Sequence, residues 1–208
     1  MPSITHKPQS LEAKVRATIF RHGRGWVFTP KDLVHLGDPR SVGMALTRLS
    51  RKGAIRQLAR GLYDFPLDHP DLGRIAPSAE SIATALAARD AIRLQPAGAY
   101  AANLLGLSDQ VPAKVVFLSD GPSRRVQLGQ REIILQRTTP RNMATAGRIS
   151  GTVIQALRYL GQRHVDDRVV AILSHRLTDA DKAQLLNDLK YAPAWIAAIF
   201  RRLAAPGA

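Results

Sequence analysis

The sequence predicts an α+β chain, mostly α with small β, arranged as two domains. Three observations predict it. Two cap-plus-proline pairs, Thr29-Pro30 and Asp38-Pro39, open closely spaced helical patterns in the first third of the chain. Further on, β-branched runs such as residues 113–119, followed by the turn signal Asp120-Gly121-Pro122-Ser123, supply strand candidates. Between these regions Pro66, Pro70, Gly73 and Pro77 interrupt regular structure. The expected organisation is a domain over residues 1–66, a linker over 67–77 and a second domain over 78–208.

Composition narrows the function classes. The 208 residues carry 30 Lys+Arg against 16 Asp+Glu, a net charge of +14, and no cysteine. Without cysteine there is no disulfide framework, thiolate zinc finger, iron–sulfur cluster or cysteine nucleophile. No apolar run reaches the roughly 18 residues of a membrane span, and Met1-Pro2-Ser3-Ile4-Thr5-His6 has no signal-peptide character. A soluble, cytoplasmic protein without membrane contact is expected. The positive charge favours a polyanionic partner, because clustered Lys and Arg neutralise phosphates and release counterions. It is also uneven. Residues 1–66 hold 12 Lys/Arg and 4 acids, net +8, whereas residues 67–208 hold 18 and 12, net +6 over more than twice the length.

Ser10 can cap a first helix whose Leu11, Val15 and Ile19 share one face, with Gly23 and Gly25 ending it. Trp26-Val27-Phe28 suits a short strand. Thr29-Pro30 opens a short helix over residues 31–35, and Gly37 turns the chain. Asp38-Pro39 then opens a longer helix over residues 40–52, closed by Gly53. Val42, Ala45, Leu46 and Leu49 fall at i, i+3, i+4 and i+7, one buried stripe. The opposite arc carries Arg40, Ser41, Met44, Thr47, Arg48 and Arg51, with Lys52 at its end. Arg bonds both guanine acceptors of the major groove, Ser and Thr serve bases or phosphates, and Met44 either touches a thymine methyl or packs.

Such an arc also describes an ordinary solvated helix face. The next segment of the chain favours nucleic acid. Residues 54–58 and 62–65 form two short strands around Ala59-Arg60-Gly61, with Gly61 at the positive-φ position of a tight hairpin. Arg56 and Arg60 are expected to project from it toward a phosphate backbone. Helix, turn, helix and basic hairpin together make a winged helix-turn-helix.

Lys52-Gly53-Ala54-Ile55 and Arg60-Gly61-Leu62-Tyr63-Asp64-Phe65-Pro66, after Thr29-Pro30-Lys31-Asp32-Leu33 and Val42-Gly43-Met44-Ala45-Leu46, resemble AbiEi-type antitoxins of type IV toxin–antitoxin systems. The resemblance covers roughly residues 10–66 and is looser over Ser78–Leu86 and Gly98–Leu107. It implies an N-terminal domain that binds operator DNA and represses its own operon, and a C-terminal domain that antagonises a nucleotidyltransferase-like toxin. Double-stranded operator DNA, in the form of an inverted repeat bound by a monomer or dimer, is the expected partner. A stand-alone winged-helix regulator, or an RNA-binding protein without a toxin partner, is the alternative.

The second domain is expected to be α+β, with a short antiparallel sheet. Residues 78–89 and 96–107 form Ala-rich helices, residues 113–119, 125–129 and 131–137 strands, and residues 148–163, 178–190 and 193–203 helices. Val153, Leu157 and Leu160 face the core from one of these, and Leu185, Leu186 and Leu189 from the next. Arg124, Arg125, Arg131 and Arg137, with Arg141 nearby, gather on the strand region. They suit a protein-partner surface, a second nucleic-acid contact or a sheet edge protected by charge. No enzyme is expected. His164-Val165-Asp166-Asp167 lacks a further histidine at ligand spacing and its acids more simply cap a turn. His22, His35, His69 and His175 are scattered, Gly23-Arg24-Gly25 is an incomplete dinucleotide loop, and neither a phosphate-loop lysine nor a Gly-x-Ser-x-Gly elbow occurs. No cofactor, metal or catalytic residue is assigned.

Overall fold

The structure is a computed structural model and describes residues 10–205; residues 1–6, which carry the signal-peptide reading, lie outside them. The chain forms two compact units that divide between Asp90 and Ala91. Helices dominate and the sheets are small, so the fold is α+β.

In the first unit, Ser10 caps α1 (Leu11–His22) by accepting the Ala13 N–H at 3.2 Å, and Gly23 ends it at φ 87°. Strand β1 is Val27–Phe28. A 3-10 helix spans Pro30–Leu36, where the Thr29 amide and hydroxyl both donate to Asp32 Oδ2 at 2.7 and 3.0 Å. Next, α2 (Pro39–Arg51) starts on Asp38, whose carboxylate accepts the Arg40 and Ser41 amides at 3.1 and 3.0 Å. Strands β2 (Arg56–Ala59) and β3 (Leu62–Asp64) form a hairpin, and β1 adds to its other side in the order β1-β3-β2, all antiparallel. Gly61 at φ 70° makes the tight turn that a side chain would strain. Val15 and Ile19 of α1, Phe28, Leu33, the α2 stripe Val42, Ala45, Leu46 and Leu49, and Ile55 and Tyr63 form one core. Helical periodicity assigns that stripe correctly.

Residues 67–77, expected as a linker, instead contribute a second hairpin, β4 (Leu67–His69) and β5 (Gly73–Ile75), with Gly73 at φ 67°. The prolines flank or cap these strands rather than dissolving them. Helix α3 (Ala79–Asp90) also belongs to the first unit, because it packs against β1. The boundary thus falls about a dozen residues beyond the expected start of the second domain.

The second unit builds a four-stranded sheet from β6 (Leu94–Ala97), β7 (Lys114–Ser119), β8 (Arg124–Leu128) and β9 (Arg131–Arg137), ordered β6-β7-β9-β8. The two outer pairings are antiparallel as expected; the central pair, β7 with β9, is parallel. The expected helix over 96–107 starts later than its sequence pattern. Residues 94–97 form an edge strand instead, where Pro96 can face away from the neighbouring strand without costing a ladder bond, and the helix after it, α4 (Gly98–Leu104), is shorter. Helices α5 (Pro140–Met143), α6 (Ile149–Leu160), α7 (Asp167–Arg176), α8 (Asp179–Asn187) and α9 (Ala194–Leu203) complete it. Their core includes Ala101, Val153, Leu157, Leu173, Leu185, Ile196 and Phe200; Leu186, expected with it, is exposed. A buried polar knot ties α6 to the end of α8: Asp188, 2% exposed, accepts from Ser150 Oγ, Arg148 Nη1 and Gln184 Nε2.

Candidate nucleic-acid interface

Burial of the stripe on α2 forces its opposite arc outward. Arg40, Met44, Thr47, Arg48 and Arg51 are exposed and Ser41 is half-buried. Met44 is 45% exposed, which settles its packing alternative: the thioether does not belong to the core. Thr47 is partly committed, because its hydroxyl donates to the Gly43 carbonyl at 2.9 Å and keeps only acceptor capacity for a ligand. Asp38, at the helix start, is held below the usual carboxylate range by hydrogen bonds from Ser41 and the neighbouring amides. Its negative charge sits at the positive end of the helix and keeps α2 firmly started.

The cations of the arc and the wing differ electrostatically. Among the described residues Arg40, Arg51 and Arg60 make no ion pair, and Arg60 stands exposed in the β2–β3 turn. Arg48 and Lys52 share one carboxylate. Glu12 of α1 lies 2.6 Å from Lys52 Nζ and 3.7 Å from Arg48 Nη1. The Lys52 hydrogen bond, reinforced by the charges of Lys52 and Arg48, holds the Glu12 carboxyl below its ordinary range. Sequence reasoning missed Glu12. Nothing local connects it to residues 36 and 40 positions away; only the packing of α1 on α2 brings them together.

Arg56 departs from expectation. It does not project toward solvent but turns back on its own hairpin: Nε donates to Asp64 Oδ1 at 3.0 Å, Nη2 reaches Asp64 Oδ2, and Nη2 also donates to the Ile75 carbonyl at 3.0 Å. Asp64 is 1% exposed and needs that partner, since an unpaired buried carboxylate is costly. The Asp64 hydrogen bonds in turn raise the Arg56 pKa further above its already high value.

In the second unit the arginines do not form one face. The register sets Arg124 against Leu135 and Arg125 against Ile134, so adjacent arginines point to opposite sides of the sheet. Arg125 is exposed and lies 3.6 Å from Glu132, while Arg124 is half-buried. Arg131 and Arg137 are exposed at the two ends of β9, and the Arg137 amide donates to Ser123 Oγ at 3.0 Å. Asp166 caps α7 through the Val169 amide at 3.0 Å, where a turn was expected, and His164 Nδ1 lies 2.9 Å from the Leu160 carbonyl. Among the described residues no group of three His, Cys, Asp or Glu is placed to hold a metal ion, and no helix is long and apolar enough to cross a membrane.

Comparison with curated proteins gives no match. Among solved structures, the crystal structure of the RV2827C protein from Mycobacterium tuberculosis is similar with a TM-score of 0.46 and 18% identity, over 95% of this chain and 77% of that one. Residues 14–185 match the model of DUF6088, described as a family of unknown function, and the chain belongs to that family.

Proposed function

We propose that the first unit is a winged helix-turn-helix that binds double-stranded DNA, with α2 in the major groove and the β2–β3 hairpin as a wing on the backbone. The observation that carries this reading is the arrangement of α2: four core residues fix the helix, and the arc left outside is Arg, Ser, Thr and Met without a carboxylate. Arg40, Arg48 and Arg51 supply bidentate donors for guanine or phosphate, and Met44 supplies an apolar contact for a thymine methyl. Arg60 at the wing tip meets the backbone. The resemblance to AbiEi-type antitoxins over residues 10–66 extends the reading to repression of its own operon and antagonism of a nucleotidyltransferase-like toxin.

The test is binding of the full chain to duplex DNA from upstream of its own gene, in competition with unrelated duplex. Arg48→Ala is expected to erase the preference between the two, whereas Arg60→Ala weakens both alike. Equal affinity of the wild-type chain for both duplexes and for structured RNA would favour the RNA-binding alternative. The antitoxin extension is tested by co-expression with an adjacent nucleotidyltransferase-like gene: the full chain rescues growth, or that extension falls.

A further inference from the structure

Around Arg56 the chain is cross-linked in both directions. From β2, the Arg56 guanidinium grips the buried Asp64 of β3 and the Ile75 carbonyl of β5. From β5, Arg74 Nη2 returns to the Gly53 carbonyl at 3.4 Å, where α2 has just ended. Arg24 adds a third tie, donating to the Pro66 carbonyl at 3.0 Å and pairing with Asp68, which Arg74 also approaches at 3.6 Å. The connector from Gly53 to Arg56 joins α2 to the wing, and it is bonded to the β4–β5 hairpin at both of its ends. To reach a phosphate, Arg56 would have to leave a carboxylate that is 1% exposed and abandon it in the interior.

We propose that Arg56 is a positioning residue rather than a DNA contact: with Asp64 and the β4–β5 hairpin it forms a bracket that fixes the wing, and Arg60 at its tip, relative to α2. The proposal rests on the DNA-binding reading of the first unit. It also gives residues 67–75 a role that a linker would not have. Only arginine can serve, because the bracket uses a planar fork on one carboxylate and a further N–H on a carbonyl, which an ammonium group cannot reproduce.

The test is a double-mutant cycle on DNA affinity with the full chain at 0.1 M salt, using Arg56→Gln, Arg60→Ala and the double variant, with Arg56→Lys alongside. Loss of one phosphate contact weakens binding by about eightfold at this salt. If Arg56 acts by placing Arg60, the double variant binds within about twofold of Arg60→Ala alone, and Arg56→Lys does not restore binding. Losses that multiply, or full rescue by Arg56→Lys, overturn the proposal and make Arg56 a backbone contact. Amide hydrogen exchange without DNA supplies the second arm. In Arg56→Lys, exchange across residues 56–64 and 73–75 is expected to accelerate at least about tenfold, while α2 amides keep their protection. Unchanged exchange overturns the bracket. If the wild-type chain binds no duplex, the DNA-binding reading falls and the exchange arm alone decides the bracket.

Discussion

Replacing Glu12 by Gln removes one carboxylate from beside two interface cations while keeping the side chain's size. On the proposed reading Arg40, Arg51 and Arg60 would meet a phosphate backbone unpaired, whereas Lys52 would meet it already paired with Glu12 at 2.6 Å, and Arg48, 3.7 Å from Glu12, would read bases. Each phosphate neutralised adds about 0.9 to the slope of log affinity against log salt. Three unpaired cations therefore give a slope of about 2.7 per copy, and the four with Lys52 released about 3.6. Glu12→Gln moves the slope from the lower toward the upper figure. Between 50 and 200 mM salt, the ratio of variant to wild-type affinity should fall by up to about 3.5-fold, with the variant tighter at the low end. Fluorescence anisotropy with a labelled duplex over that salt range measures it, and circular dichroism checks that α1 stays folded. A folded variant that binds no tighter than wild type at 50 mM, with an unchanged slope, would refute the placement of the α2 C-terminal end on the backbone.

Other consequences concern stability. Leu46 is fully buried in the first unit's core, so Leu46→Ala should cost about 2–5 kcal/mol, read from urea unfolding by Trp26 fluorescence in a Trp195→Phe background. A cost below about 1 kcal/mol would place the α2 stripe outside the core. At Gly151, a Cβ would lie 2.6 Å from the Thr145 carbonyl oxygen and 2.7 Å from the Gln95 carboxamide carbon. Gly151→Ala should therefore destabilise the second unit by about 1–3 kcal/mol, despite alanine's better helix propensity, and calorimetry would detect it. Acid should weaken the fold through Glu12, Asp38 and Asp120, held low chiefly by Lys52, Ser41 and Arg93 respectively. Their folded-state values lie below the unfolded ones, so their contribution is complete above the ordinary carboxylate range and disappears as pH falls through the folded-state values. The urea midpoint should be level from pH 7 to about 5 and decline below about pH 4, less steeply in Asp120→Asn.

Local features were legible in the sequence. Thr29-Pro30 and Asp38-Pro39 announce helix starts because the cap and the fixed proline φ act within one turn, and both helices start where expected. The α2 stripe is set by helical period alone, and its burial separates Met44 and the arginines from the core. The features that escaped depend on contacts between distant residues. Arg56 looks like any exposed wing arginine until Asp64 is seen to be buried beside it. Glu12 has meaning only through the packing of α1 on α2. Pro96 argues against a strand except at a sheet edge, and no residue near it says that β6 is an edge. In residues 169–172, Val169, Val170 and Ile172 lower helix propensity, yet Val170 and Leu173 gain enough by burial to hold α7. The parallel β7–β9 pair is likewise invisible, since β8 leaves and returns on the outer side of β9.

The most direct test of the central claim, that the arc of α2 and the β2–β3 tip bind duplex DNA, is the salt dependence of wild-type binding to its own upstream DNA. The proposed reading predicts a straight line of log affinity against log salt, falling with a slope between about 2.7 and 3.6 per bound copy. It also predicts a slope lower by about 0.9 in Arg60→Ala. No binding at 50 mM salt, or binding whose affinity does not change with salt, would contradict it.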